Sequence, residues 1–170
     1  MEDQQIFQPV PPKDITPIIT GYTTLTNTSC DCQTVRILKR LLSGRQGKFT
    51  SLFTYLYQSI ITNQQNQNLS NTLKAIYNQE LIHANLLGNA INSFCGCPRF
   101  SSEGTFWSAR RVNYTTNQTQ FLQQNIRFIE NSIILYQNAI ARVTNQSLKQ
   151  LLSEILEEDR RHLETFRSFL

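Results

Sequence analysis

Two short motifs constrain the fold of this chain more than any other feature of its sequence. The chain contains two histidines, His83 and His162, and each follows an acidic residue by three places, Glu80 and Asp159 respectively. Residues three apart lie on one face of a helix, so each acid and its histidine can reach a common ion. Two such pairs on separate helices predict a metal site inside a helical bundle.

Both motifs lie within patterns that are typical of the buried face of a helix, because the apolar residues recur by alternate steps of four and three. The first pattern runs through Leu69, Leu73, Ile76, Glu80, His83, Leu87, Ala90 and Phe94. The second runs through Leu148, Leu152, Ile155, Asp159, His162, Phe166 and Phe169. A charged carboxylate in such a position is costly unless it is paired, hydrogen-bonded or bound to a metal. The alternative to a metal site is that each histidine is a core residue satisfied by its acidic neighbour.

The rest of the chain is predicted to be a single all-α domain preceded by an arm. Residues 1–32 hold four of the five prolines and show no sustained period, so an extended N-terminal arm is expected. Helical periodicity predicts four helices at about residues 33–63, 69–94, 119–143 and 146–170, with Gly44 and Gly47 weakening the first. The long connection at 96–117 can return along the bundle, so residues 33–170 are expected to form two antiparallel helical hairpins joined by a crossover.

Composition excludes several classes of function. At 170 residues the chain has the size of one domain, and only 16% of its residues are charged, with a net charge of +4. No Lys/Arg run is dense enough to indicate nucleic-acid binding. No apolar run approaches the roughly 18 to 20 residues that cross a bilayer, and the first ten residues do not resemble a signal peptide. The sequence therefore predicts no membrane insertion and a cytoplasmic location.

The four cysteines form two Cys-x-Cys pairs, Cys30 with Cys32 and Cys95 with Cys97. This spacing is not that of a zinc knuckle. The pairs can form a disulfide, bind a soft metal jointly or remain reduced, and reduced thiols are expected for a cytoplasmic chain. The arm can nevertheless bring the first pair beside the second, since the first helix begins where the second one ends.

A metal site of this kind needs ligands from the other two helices. On the third helix, Glu130 lies in the stripe of Ile126 and Ile133 and is the only acidic residue there. On the first helix, the corresponding position holds Lys48. On the fourth helix, Glu158 competes with Asp159 as the ligand, although the apolar pattern favours Asp159.

The chain resembles the ferritin-like di-metal carboxylate family, particularly its rubrerythrin-like and manganese-catalase-like branch. The resemblance covers about residues 34–170, including Gly96 to Phe100 and Phe106 to Tyr114 in the crossover. The family pattern is one Glu from each of two helices and Glu-x-x-His from each of the other two. Ligand positions match at Glu80, His83, Glu130 and His162. Asp159 is a shorter acid at a Glu position, and Lys48 replaces the Glu of the first helix.

The resemblance implies an iron or manganese site acting on peroxide or oxygen. Three carboxylates and the Lys48 ammonium would carry a net charge of −2, which matches one divalent ion, so one ion or none is expected. Either Lys48 takes the place of the missing metal, or its side chain extends outward and leaves the pocket to water. The alternative function is a non-catalytic structural or assembly protein in which Lys48 and the acids form a buried ion network.

Three tyrosines are expected near the level of the metal site: Tyr55, Tyr77 and Tyr136. They are interpreted either as hydrogen-bonding or redox-active groups around the ligands or as ordinary core residues. The resemblance also implies that the chain can form a homodimer through a flat helical face. The sequence indicates no particular substrate.

Overall fold

The computed structural model describes residues 21–170, and this part of the chain forms an all-α bundle. The helices are α1 (Cys32–Ser43), α2 (Lys48–Thr62), α3 (Gln67–Ser93), α4 (Gln118–Arg142) and α5 (Gln146–Arg167). The crossover contains a two-residue hairpin, β1 (Ser101–Ser102) and β2 (Thr105–Phe106), and a 3-10 turn at Ala109–Arg111. The predicted fold class is confirmed, with α1 and α2 together in the place of the first helix. Within residues 21–170, the helices are too short or too polar to cross a membrane.

The prediction of one continuous helix over residues 33–63 was wrong, because the chain breaks between α1 and α2. A Cβ at Gly44 would lie 2.3 Å from the carbonyl oxygen of Arg40, and one at Gly47 would lie 2.8 Å from that of Leu42. Only glycine fits such close approaches of backbone to backbone. The break makes Lys48 the first residue of a new helix.

The predicted hairpins and crossover are confirmed. Residues 63–66 join α2 to the antiparallel α3, and residues 143–145 join α4 to α5. Asn66, just before α3, donates through Nδ2 to Oε1 of Gln118 at the start of α4 (3.4 Å), so α3 and α4 run parallel. The crossover lies alongside α2. Trp107 Nε1 donates to Thr50 Oγ1 (3.1 Å), and the Asn113 amide donates to Thr54 Oγ1 (3.2 Å).

The described part of the N-terminal arm, residues 21–31, contains no helix or strand and lies along α5. The Thr23 amide donates to Glu154 Oε2 (2.8 Å) and the Thr23 hydroxyl to Glu154 Oε1 (2.5 Å). Nearer the start of α5, the Thr26 amide donates to Ser147 Oγ (3.0 Å). Residues 1–20 of the predicted arm lie outside the described residues.

A disulfide joins the arm to the end of α3. Cys30 and Cys95 are bonded, whereas Cys32 and Cys97 are free and exposed. The expectation of reduced thiols was therefore wrong for one cysteine from each pair. The bridge closes a loop of 65 residues and holds the arm where α1 begins.

The core consists of two apolar clusters at opposite ends of the bundle. One includes Leu38, Leu87 and Leu152, and the other includes Leu69, Phe121 and Phe166. On α3, Ile76 belongs to the second cluster and Ala84 to the first. The buried polar residues between those two positions on α3, which are Gln79, Glu80 and His83, therefore have apolar packing at both ends.

Candidate metal centre

Five polar side chains meet between the two apolar clusters, and they are called the acid–histidine cluster here. Their exposed fractions are at most 4%, and they are Lys48, Glu80, His83, Asp159 and His162. The steps of four and three on α3 and α5 carry the two acids and two histidines inward, as the sequence predicted. The helix break brings the first residue of α2 to the same level.

Lys48 occupies the middle of the cluster and contacts both carboxylates. Its Nζ lies 2.5 Å from Asp159 Oδ1 and 3.1 Å from Glu80 Oε2. It also lies 5.4 Å from the centre of the Tyr136 ring. Lys48 therefore points inward, and the alternative in which its side chain extends outward was wrong.

Two serine hydroxyls complete the contacts of the carboxylates. Ser51, one turn after Lys48, donates to Glu80 Oε2 at 2.7 Å. Ser132 of α4 donates to Asp159 Oδ2 at 3.3 Å. The two carboxylates are thus held by helices on both sides.

The two histidine rings face the same carboxylate oxygen through Nδ1. His162 Nδ1 lies 3.3 Å and His83 Nδ1 lies 3.9 Å from Glu80 Oε1, and neither nitrogen has a hydrogen-bond partner among the described residues. Glu80, His83 and Asp159 each offer a ligand atom within 4.8 Å of the others. Buried ring nitrogens without partners beside carboxylate oxygens fit the donor set of a divalent iron or manganese site.

Tyr22, from the N-terminal arm, contacts the far side of the His83 ring. Its hydroxyl lies 2.9 Å from His83 Nε2, and the side-chain amide of Gln79 donates to the same hydroxyl. For Nδ1 to carry a free lone pair, Nε2 must hold the ring proton and donate it to the Tyr22 oxygen. Outer hydrogen bonds of this type orient histidine ligands in metal sites.

Burial opposes charge throughout the cluster, and the neighbouring charges decide which groups ionise. Burial acts to lower the pKa of Lys48, but Asp159 and Glu80 raise it above its ordinary value. Burial acts to raise the pKa of Glu80, but the Lys48 charge and the two histidines hold it well below its ordinary value. Burial, together with the Glu80 charge, raises the pKa of Asp159 although Lys48 acts to lower it. The single ammonium is thus shared between two buried carboxylates.

Burial and the Lys48 charge also hold the pKa of His83 well below its ordinary value. The neutral imidazole is the form that binds a metal, because only it has a free lone pair. His83 is therefore already in the protonation state of a ligand.

The prediction that Glu130 belongs to the site disagrees with its position. Its side chain is 46% exposed, and Oε1 lies 3.0 Å from Arg167 Nη2 at the surface. The buried face of α4 instead passes through Leu122, Asn125, Ile129, Ser132, Tyr136 and Ala139. Ser132 holds the inward position at the level of the site, so α4 contributes a hydroxyl where the family pattern has a carboxylate.

The choice between the two acids of α5 is clear from their contacts. Asp159 joins the acid–histidine cluster through Lys48, whereas Glu158 is buried and lies 3.3 Å from Arg161 Nη1. The shorter acid is therefore the one that faces the cluster, as the apolar pattern indicated.

The three tyrosines have different positions. Tyr55 and Tyr136 are fully buried, and burial raises the pKa of each well above its ordinary value, so both remain phenols. Neither hydroxyl has a hydrogen-bond partner among the described residues. Tyr77 is only partly buried and packs against the apolar cluster that contains Leu69.

The corrected charge of the cluster is lower than the sequence suggested. Two buried carboxylates and one ammonium give −1, since Glu130 is at the surface. Two divalent ions would leave a large positive charge in a site without a carboxylate from α2 or α4. The residues present therefore offer a mixed carboxylate and imidazole donor set for a divalent metal ion, with no carboxylate from α2 or α4.

A four-helix bundle with acids and histidines projecting into its core defines the class of ferritin-like metal-binding proteins. Residues 50–170 match the family model described as Rubrerythrin. The chain therefore belongs to the Rubrerythrin family. Lys48 lies two residues before the matched segment.

Solved structures of the same fold include two proteins with metal chemistry. A manganese catalase, KatB from Anabaena PCC7120, is 20% identical with a TM-score of 0.80, over 91% of this chain and 77% of that one. The bacterioferritin of Desulfovibrio desulfuricans, which has a diiron site, is 17% identical with a TM-score of 0.67, over 81% of this chain and 77% of that one. No curated protein sequence matches the chain. These likenesses show the fold.

Proposed function

We propose that this protein holds a single iron or manganese ion at Glu80, His83, Asp159 and His162, and that the loaded protein reacts with peroxide or oxygen. The observation that carries the proposal is the buried donor set, in which Glu80, His83 and Asp159 each offer a ligand atom within 4.8 Å of the others. The Lys48 ammonium lies between the two carboxylates, 2.5 Å from Asp159 and 3.1 Å from Glu80, which supports a single ion. A cation of fixed charge there takes the role of one metal of a di-metal site.

The chain's own residues have distinct roles in this proposal. Glu80 and the two unpartnered Nδ1 atoms provide the donors, and Asp159 is shared with Lys48. Tyr22 fixes the His83 ring, and Lys48 keeps its proton at Nζ because the carboxylates raise its pKa. A bound iron or manganese ion would supply one-electron redox chemistry with peroxide or oxygen.

Metal analysis of the protein purified without chelator tests the proposed site. One ion per chain is expected, with Glu80→Gln losing it and the surface variant Glu130→Gln retaining it. Two ions per chain in the wild type would refute the role of Lys48. Peroxide consumption by the loaded protein, compared with the Glu80→Gln variant, tests the reaction separately.

A second candidate function is a non-catalytic protein that uses the cluster as a buried ion network. The observation that favours it is that the Lys48 ammonium contacts both carboxylates, so the chain itself supplies a counter-charge for them. Failure to retain any ion after reconstitution with iron(II) or manganese(II) would favour this candidate over the metal site.

The homodimer and the cytoplasmic location stay predictions. Sedimentation equilibrium tests the first. The disulfide between Cys30 and Cys95 is of a kind that persists in oxidising compartments, so fractionation of cells bears directly on the second.

A further inference from the structure

A surface cavity of about 560 Å³ lies where the helix break, the crossover and α4 meet. Four arginines line it: Arg45, Arg110, Arg111 and Arg127. Among residues 21–170, no acidic residue lines the cavity. We propose that this cavity is a binding site for a small phosphate-bearing anion.

The fold assembles this charge from separate parts of the chain. Arg45 comes from the turn between α1 and α2, Arg110 and Arg111 come from the 3-10 turn of the crossover, and Arg127 comes from α4. A solvated run of basic residues would place them side by side in the sequence. Here three separate segments bring arginine residues to one concave surface.

None of these four arginines forms an ion pair with a carboxylate within residues 21–170. Two acidic residues of the crossover and α4 are paired elsewhere: Glu103 lies 3.7 Å from Arg40, and Glu130 lies 3.0 Å from Arg167. Positive groups gathered without a counter-charge repel one another, and a multiply charged anion relieves that repulsion. Planar guanidinium groups match phosphate oxygens in pairs, which favours phosphate over a singly charged ion.

Part of the cavity wall is held in place before any ligand binds. Arg111 donates through Nη1 to the carbonyl oxygen of Ser43 at 2.6 Å, which leaves its other N–H groups for an anion. Gln46 also lines the cavity, and its buried Oε1 has no hydrogen-bond partner in the described part of the chain. Rotation of that amide exchanges the oxygen for an NH₂ group, which would add a donor.

A smaller cavity of about 190 Å³ adjoins the first one and is called the inner cavity, since buried residues such as Ser51 and Tyr55 line it. The two share Thr50, Arg111, Gln124 and Phe128. Of the residues that the structure describes, Arg111 is the only charged one that lines the inner cavity. The outer cavity, with four arginines, suits a phosphate group, and the inner cavity, with one, has room for a small uncharged substituent. Free phosphate and a small phosphate ester share the chemistry that the outer cavity recognises.

Calorimetric titration of the full chain with inorganic phosphate and with glycerol 3-phosphate tests the proposal. Binding is expected for at least one probe beyond any effect of sodium chloride at equal ionic strength. The double variant Arg45→Gln/Arg127→Gln is expected to weaken it at least about tenfold, since hydrogen bonds to charged groups are lost. The double variant Arg36→Gln/Arg99→Gln removes the same charge at exposed positions outside the cavity and is expected to bind like the wild type.

Three results would overturn the proposal. They are no heat for either probe above the chloride control, equal weakening in both double variants, and binding of heparin without binding of either small anion. The relative affinity of the two probes distinguishes free phosphate from an ester. The titration does not depend on the acid–histidine cluster. Its result therefore tests the phosphate site alone and not the proposed metal function.

Discussion

Lys48 Nζ lies 2.5 Å from Asp159 Oδ1, which makes this the shortest ion pair within residues 21–170. The two residues are 111 positions apart in the chain, and they link α2 to α5 through the centre of the bundle. This ion pair connects the stability of the fold to the charge of the acid–histidine cluster.

Removal of the ammonium should destabilise the metal-free protein strongly. Lys48→Met leaves Glu80 and Asp159 buried without their counter-charge, and breaking a buried pair in this way costs about 3–5 kcal/mol. Urea denaturation measures the loss. Lys149→Met, which changes a lysine without an ion pair among the described residues, is expected to change the free energy of unfolding far less. Equal effects of the two substitutions would contradict the role assigned to Lys48.

Lys48→Glu should raise the number of metal ions per chain. The substitution removes the competing cation and adds a carboxylate at the same level of the bundle, so binding of a second divalent ion is expected. Elemental analysis after reconstitution with manganese(II) measures the ratio, with Lys149→Glu as the matched control. An unchanged ratio in Lys48→Glu would count against the substitution of a metal by Lys48.

Tyr22→Phe should weaken metal binding while leaving the bundle folded. The change removes the hydroxyl that lies 2.9 Å from His83 Nε2. Loss of such outer contacts typically lowers metal affinity by about 10–100-fold. Competition with a chromogenic chelator measures the affinity, and Tyr114→Phe, at an exposed position, serves as the control. A Tyr22→Phe affinity equal to that of Tyr114→Phe would show that the arm does not support His83.

Attachment of the arm to α5 should weaken in acid. The Glu154 carboxylate is partly desolvated, but its hydrogen bonds from Thr23 and Gln150 hold its pKa below its ordinary value. A lowered folded-state pKa gives stability that is present above the unfolded pKa of about 4.3 and is lost as the pH falls through the folded value.

The difference in unfolding free energy between wild type and Glu154→Gln should therefore be constant near neutral pH and shrink below about pH 4. Denaturant titrations at a series of pH values measure it. Glu157→Gln, on an exposed position of the same helix, should show no such trend of comparable size. A difference that grew in acid would mean that the sign of the linkage is wrong.

Loss of the disulfide should lower the stability of the whole bundle. A bridge across 65 residues stabilises a fold by about 4 kcal/mol in the chain-entropy model. Cys30→Ser/Cys95→Ser is expected to lower the melting temperature, and Cys32→Ser/Cys97→Ser is expected to leave it nearly unchanged. Peptide mapping without reductant checks the pairing, and a bond between Cys32 and Cys97 instead would contradict the structure.

The two helices with acid and histidine motifs could be predicted from sequence because their apolar steps are unbroken. Every residue of the α3 pattern from Leu69 to Phe94 is buried, and Phe169 is the only member of the α5 pattern that is partly exposed. Charged residues inside such a pattern are conspicuous. The sequence therefore indicated both the fold and the side chains of α3 and α5 that meet in the core.

The buried face of α4 was predicted wrongly from sequence because its polar residues are small and uncharged. Asn125 and Ser132 interrupt the apolar pattern but carry no charge that would mark them as site residues. Glu130 is the only acid of that helix, so the sequence favours it as the ligand. In the structure, Asn125 exchanges hydrogen bonds with Gln58 of α2, at 2.7 and 3.3 Å. Counting alternate steps of three and four from Leu122 would have selected Ser132.

Sequence periodicity could not predict the contacts of the arm. Tyr22 meets His83 across 61 positions, and Cys30 meets Cys95 across 65. No local pattern specifies a contact between an extended segment and a helix far along the chain. Gly44 and Gly47 indicated a weak point in the first helix. The close backbone approaches that require glycine at both positions are seen only in the structure.

That break gives α2 a free amino-terminal end beside the two carboxylates. The first turn of a helix carries unpaired N–H groups and a partial positive charge, which favours acids and disfavours cations. Gly47 provides no side-chain cap, and Lys48 is the first residue of the helix. The lysine therefore opposes the dipole of its own helix and is retained by Glu80 and Asp159. A glutamate at position 48 would gain about 0.3–1 kcal/mol from the same dipole, so the backbone of α2 is already suited to the ligand that its sequence lacks.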